Sequence, residues 1–200
     1  MVPLRPSTPR DRRTSVLRLN ADGAFQVVVI TIPVAGEGAT TAAMALAQSL
    51  HGLGRSVLLI DKDLRACGLT RHSSELTVKA LGPVLREEAT LEEGIQNIGG
   101  DGLDALLCGE SDPSTSDLFA SDCFKRLIEK ARQAYGTVII DTPQILLAPT
   151  VRIVAEQADA ILLMVQSDRT RRRKIEEAMR AFRNSNESIT GTVFNQARAG

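Results

Sequence analysis

Apolar residues in this chain gather in four short, nearly unbroken runs, at 27–32, 57–60, 138–140 and 161–165. Each is aliphatic or β-branched on consecutive positions, with no alternation of apolar and polar residues. That is the pattern of strands in a parallel sheet covered on both faces. Two weaker runs, 103–107 and 189–194, are further strand candidates. Between the runs, apolar positions recur at helical spacing and predict helices over 40–53, 91–98, 121–134, 150–157 and 171–184. Thr90 and Glu93 have the spacing of a capping box ahead of the second of these. Residues 15–20 predict a short helix. Residues 1–14 hold three prolines and many charges and predict a disordered basic segment. Strands alternating with helices define an α/β, doubly wound, mainly parallel fold, with one domain over 15–200. In such folds ligands bind beyond the carboxyl ends of the strands.

Composition narrows this picture only a little. Two hundred residues with 43% hydrophobic content suffice for one well-buried domain. The formal net charge is zero, so the bulk protein has no electrostatic reason to seek nucleic acid or acidic lipid. Charge is local instead. Arg5, Arg10, Arg12, Arg13 and Arg18 make the first twenty residues basic, and Arg169, Arg171, Arg172, Arg173 and Lys174 form a second cluster. Cys67, Cys108 and Cys123 lack metal-ligand spacing and are expected to be reduced thiols in a cytoplasmic setting, the last two in or near the core. No apolar run approaches the ~18 residues of a membrane span, and the N-terminal arginines are not followed by the apolar core of a secretory signal.

Chemistry concentrates after the first strand. Gly36-Glu37-Gly38-Ala39-Thr40-Thr41 lies between a strand and a predicted helix, the layout of a phosphate-binding P-loop. Glycines there let backbone N–H groups converge on phosphates, and the helix N-terminus adds partial positive charge. Thr40 stands where a Mg²⁺-ligating hydroxyl is expected. A lysine normally reaches the β- and γ-phosphates from the position of Ala39, which offers a methyl group. Asp61 and Asp141 end two of the predicted strands and so fall on the same sheet edge as the loop. Strand-end carboxylates can hold Mg²⁺ through its water shell or orient an attacking hydroxyl.

The loop GEGATT, the segment LLIDKDLR around Asp61 and Asp63, and the segment VIIDTP around Asp141 together resemble the bacterial tyrosine kinases of capsule and exopolysaccharide export. These are P-loop ATPases of the deviant-Walker type. The resemblance runs from about Leu17 to Gln196, and the LLIDxDLR segment is its most specific part. It implies an ATP/ADP and Mg²⁺ site. Gly36, Gly38 and Thr40 match phosphate and metal positions, Asp61 and Asp63 the second acidic motif, Asp141 the Walker B aspartate, and Asn195 a position near the adenine. It also implies a membrane-bound export partner and a cytoplasmic location, peripheral at the membrane through that partner.

The chain departs from the family at several points. Ala39 replaces the phosphate lysine, Met44 a usual asparagine, and Thr150 a usual aspartate, while Pro33 and Ala35 alter the approach to the loop. The only tyrosine is Tyr135. The family's N-terminal Glu-x-x-Arg-x-x-Arg motif reads Arg12, Ser15 and Arg18 here, which predicts weak self-association. Three functions therefore compete: a degenerate kinase-like subunit acting through its partner, an active ATPase or tyrosine kinase with a relocated cation (Lys62 and Arg65 being nearby), and a partitioning-type DNA-binding ATPase using the 169–174 cluster. Strand alternation turns Lys62 away from Asp61.

Overall fold

The computed structural model describes residues 25–62, 69, 80–99, 102–108, 115–167, 169–183 and 189–195. The expected disordered segment and the helix at 15–20 lie outside these residues, as do Asp63, Arg65 and Cys67. Seven strands form one sheet: β1 (Val27–Ile32), β2 (Val57–Asp61), β3 (Ile95–Ile98), β4 (Leu103–Leu106), β5 (Thr137–Gln144), β6 (Ala160–Gln166) and β7 (Gly191–Asn195). Their order is β3-β4-β2-β5-β1-β6-β7, and every pairing is parallel except β3 with β4. The helices are α1 (Ala39–His51), α2 (Leu81–Leu85), α3 (Leu91–Gly94), α4 (Thr115–Leu118), α5 (Asp122–Ala134), α6 (Thr150–Ala155) and α7 (Arg172–Arg183).

The unbroken apolar runs have the cause expected of them: β1 and β2 are buried along their whole lengths because helices cover both faces of the sheet. On one face α1 packs Ala43, Leu46, Ala47 and Leu50 against Val28, Ile30, Leu59 and Ile139. On the other, α5 packs Phe124, Leu127, Ile128 and Ala131 against Val27, Leu58, Ile60, Val138 and Ile140. The helices α6 and α7 cover Ile161, Leu163 and Val165 on that second face.

One predicted helix is wrong in its second half. The capping box is present, with Thr90 Oγ1 accepting from Glu93 N and Glu93 returning a carboxylate to Thr90 N. The helix nevertheless ends at Gly94, and residues 95–98 form an edge strand antiparallel to β4. Leu91, Ile95 and Ile98 imitate helical spacing. The better signal is the Gly99-Gly100-Asp101-Gly102 stretch between two apolar runs, a hairpin turn. Gly99 and Gly102 have φ of 78° and 76°, which favour glycine. The short α2 was missed because Gly82 and Pro83 read as helix breakers, yet Pro83 falls in the first turn, where no intrahelical N–H bond is lost. The strand β5 runs past Ile140 to Gln144, pairing Ile32 with Gln144 beyond an irregularity.

At the amino ends of the parallel strands a polar clamp joins three elements. The Asp159 carboxylate accepts from Gln26 N and Val27 N and from both terminal nitrogens of Arg132 at 2.8 Å. Gln26 Nε2 in turn donates to the carbonyls of Arg132 and Tyr135. Burial opposes ionisation of Asp159, but the Arg132 and backbone hydrogen bonds with the guanidinium charge outweigh it and hold the carboxyl below its ordinary value. A carboxyl depressed in the folded state contributes stability that is present above its unfolded pKa and is lost as pH falls through the folded value. Arg132→Met should therefore lower stability at pH 7 by about 2 kcal/mol and shrink the acid-induced loss. Urea unfolding at pH 7 and pH 3 measures both; an unchanged pH dependence would remove Asp159 from this role.

Candidate nucleotide-binding site

The loop leaves β1 at Ile32 and turns into α1 through Gly36 and Gly38, with φ of 83° and 88°. Gly38 is the N-cap of α1, and its carbonyl accepts from Ala42 N at 3.0 Å. A Cβ at Gly38 would meet Asn195 Nδ2 at 2.6 Å, a side-chain end that can swing aside, so it is the backbone conformation that favours glycine here. The loop is held from three sides. Ala35 N donates to Gln144 Oε1 at 3.0 Å, Asn195 Nδ2 donates to the Glu37 carbonyl at 3.3 Å, and Thr170 Oγ1 donates to Glu37 Oε1. Val34 N also approaches Glu37 Oε2 at 3.4 Å. Glu37 is only 4% exposed, and burial raises its carboxyl above the usual range despite the bonds from Thr170 and Val34.

The register of three strands brings the two acidic positions together. Ile30 pairs with Asp141, and Asp141 pairs with Asp61. Leu59 and Ile139 face α1 whereas Ile60 and Ile140 face α5, so by alternation Asp61 and Asp141 face α1 and the loop. Both are buried, and Asp61 Oδ2 accepts from Leu69 N at 3.0 Å. Thr40 is half-buried and Thr41 exposed in the first turn of α1. Ala39 is buried against the α1 core and brings no charge. Met44 packs on the same core. Asn195, expected near a base, sits at the end of β7 beside Gln166 and touches the loop backbone. Among the described residues no group of three or more His, Cys, Asp or Glu converges, so an ion there would draw further ligands from water and phosphate.

Lys62 follows the alternation and points to the opposite face. Its Nζ donates to Thr150 Oγ1 at 2.7 Å and lies 4.5 Å from the centre of the Phe119 ring. Its backbone N–H donates to the Asp141 carbonyl at 2.9 Å, tying the ends of β2 and β5. Tyr135 stands at the amino end of β5, the edge opposite the loop. Its hydroxyl donates to Asp104 Oδ2 at 2.8 Å, and burial with that bond raises it well above the ordinary phenol value. Cys108 is buried and Cys123 half-buried. Sequence reasoning missed Gln144 and Thr170 as loop supports. Neither has a local signal, since each reaches the loop only through the packing of β5 and α7 beside β1.

A glycine-rich loop between a central parallel strand and a helix, with strand-end aspartates on the same face, defines a P-loop NTPase-type protein. The AAA domain family matches residues 25–191. The tyrosine-protein kinase YwqD of Bacillus subtilis is 31% identical over 188 residues, covering 93% of this chain and 78% of YwqD. The kinase domain of Escherichia coli tyrosine kinase ETK superposes with a TM-score of 0.83 at 26% identity, covering 96% of this chain and 76% of ETK's. The chain belongs to the bacterial tyrosine-protein kinase family. A cobyrinic acid a,c-diamide synthase from Mycobacterium smegmatis, solved with bound ADP and magnesium, shares the fold alone, with a TM-score of 0.68 at 18% identity over 84% of this chain and 71% of that one. No helix among the described residues is long and apolar enough to cross a membrane.

Because burial raises Glu37 in the folded state, its contribution to stability is greatest below the ordinary glutamate value and declines as pH rises through the raised one. Glu37→Gln should therefore raise the thermal midpoint above the raised carboxyl value and flatten the decline that begins as pH rises past the ordinary glutamate range. A lower midpoint at pH 7 would mean that the ionised carboxylate's bonds outweigh its burial.

Proposed function

We propose that this chain is a kinase-like subunit of bacterial exopolysaccharide or capsule biosynthesis and export, binding ADP or ATP with Mg²⁺ weakly and transferring phosphoryl groups poorly. It would act on the cytoplasmic side by docking to a membrane-bound export partner. The observation that carries this proposal is position 39, where the first residue of the helix behind the loop is a buried alanine packed on the apolar core.

The residues fit the group they would hold. The N–H groups of the loop at Gly36–Thr40 would cradle the β-phosphate, and the left-handed backbone at Gly36 and Gly38 suits that nest. Thr40, Asp61 and Asp141 would hold Mg²⁺ directly or through water, with Asp63 beside them in sequence. Mg²⁺, when bound, neutralises charge on the phosphate oxygens. Asp61 or Asp141 would orient an acceptor hydroxyl. Asn195 would offer its amide to the adenine edge by rotating from Glu37.

An active kinase with a relocated cation is the second possibility, and the direction of the Lys62 side chain counts against that residue as the replacement. A DNA-binding ATPase has less support, because Arg172, Arg173 and Lys174 are engaged with Glu176 and Glu177.

A missing preorganised donor typically costs on the order of 10²–10³ in rate, and a full charge at phosphate at least as much. ATP turnover and phosphotyrosine formation by the unmodified chain should be near background, and ADP should bind more tightly than ATP in calorimetry. Turnover of about 1 s⁻¹, abolished by Asp61→Asn or Asp141→Asn, would overturn the impaired-kinase assignment. Ala39→Lys should recover part of the hydrolysis if only the lysine is lacking. Little recovery would place further loss at Met44 and Thr150.

A further inference from the structure

We propose that Arg169 and Arg171, just before α7, attract the phosphates of a bound nucleotide and raise its affinity without restoring the catalytic role of the loop lysine. The inference rests on the nucleotide-binding assignment above and goes beyond it by naming the residues. Thr170 lies between the two arginines, and its hydroxyl donates to Glu37, two residues before Ala39. The same hydroxyl accepts from Gln166 N at 3.2 Å, which ties the turn after β6 to the end of that strand. Arg169 and Arg171 flank the contact with Glu37 in sequence and are exposed beside it.

Their charge state separates them from their neighbours. Arg172 pairs with Glu176 at 2.9 Å, Arg173 with Glu177 at 2.9 Å and Lys174 with Glu177 at 2.8 Å. Arg169 and Arg171 are exposed and have no ion-pair partner among the described residues. Among the described residues, Lys62 is engaged on the opposite face and the loop itself carries no cation. The local sequence is also unfavourable as helix chemistry. The first turn of α7 contains no acidic residue and begins with cations, which the positive end of the helix dipole repels. Arg171, at the N-cap position of α7, has no side-chain oxygen to cap it. A local rule broken beside a functional loop is expected where charge is retained for binding.

Two unpaired cations suit a compact polyphosphate. Guanidinium geometry matches phosphate oxygens in a bidentate manner.

The test is calorimetric titration of the full chain with MgADP, inorganic pyrophosphate and adenosine. The variants are Arg169→Ala/Arg171→Ala, Arg169→Lys/Arg171→Lys, and Arg172→Ala/Arg173→Ala as a control of equal charge loss. The proposal expects the first pair to weaken MgADP and pyrophosphate at least tenfold, with adenosine unchanged and the thermal midpoint held. The lysine pair should recover most of the affinity, and the control should stay within twofold of the unmodified chain. Equal weakening by the first pair and the control would reduce the effect to overall charge and overturn the proposal, as would no weakening by the first pair. If the unmodified chain binds neither MgADP nor pyrophosphate, the nucleotide-binding assignment fails and this proposal with it. Normal binding insensitive to Arg169 and Arg171 would overturn the arginine proposal alone.

Discussion

Parallel pairing of β5 between β1 and β2 is the constraint on which the other features depend. It buries all three strands on both faces, so their interiors must be apolar and polar groups are pushed to the strand ends. It places Ile30, Asp141 and Asp61 side by side in register. It also fixes which face each residue meets, because side chains alternate along a strand. The loop and α1 occupy the face that both aspartates share. A shift of one residue in β2 or β5 would turn a carboxylate into the α5 core and bring an aliphatic side chain to the loop.

Charge around the loop follows from the same arrangement. A buried carboxylate at Glu37 is held by Thr170 and Val34, with no lysine at position 39. Lys62, adjacent in sequence to Asp61, is separated from it by the thickness of the sheet and packs among Thr150 and Phe119. Its ammonium meets a neutral hydroxyl there, not a carboxylate. The turn after β6 meets the loop from a point distant in sequence, through Thr170.

The amino edge of the sheet does different work. Asp159, Arg132 and Gln26 tie β1 and β6 to the end of α5, and Tyr135 with Asp104 ties the same corner to β4. The single tyrosine is thus part of the scaffold at the edge farthest from the loop. Its hydroxyl is engaged, its ionisation is suppressed by burial, and nothing in its surroundings resembles a phosphate site.

The sequence by itself determined the fold class, the four central strands, the loop and the two strand-end aspartates. These rest on local signals: consecutive apolar residues, glycine spacing, and a polar residue where an apolar run stops. It also carried the departure at Ala39, which no packing could restore. It misjudged residues 95–98, where two apolar positions suit a helix and a strand equally and only pairing with β4 decides. Tertiary structure alone decided that Gln144, Thr170 and Asn195 converge on the loop, because each is separated from it by more than 100 residues of chain. Alternation foretold that Lys62 turns away, but its partners Thr150 and Phe119 come from other elements. Local sequence encodes backbone preference and which side of an element is apolar. It does not encode which distant side chains meet, and that meeting sets burial, hydrogen bonding and the charge felt at the site.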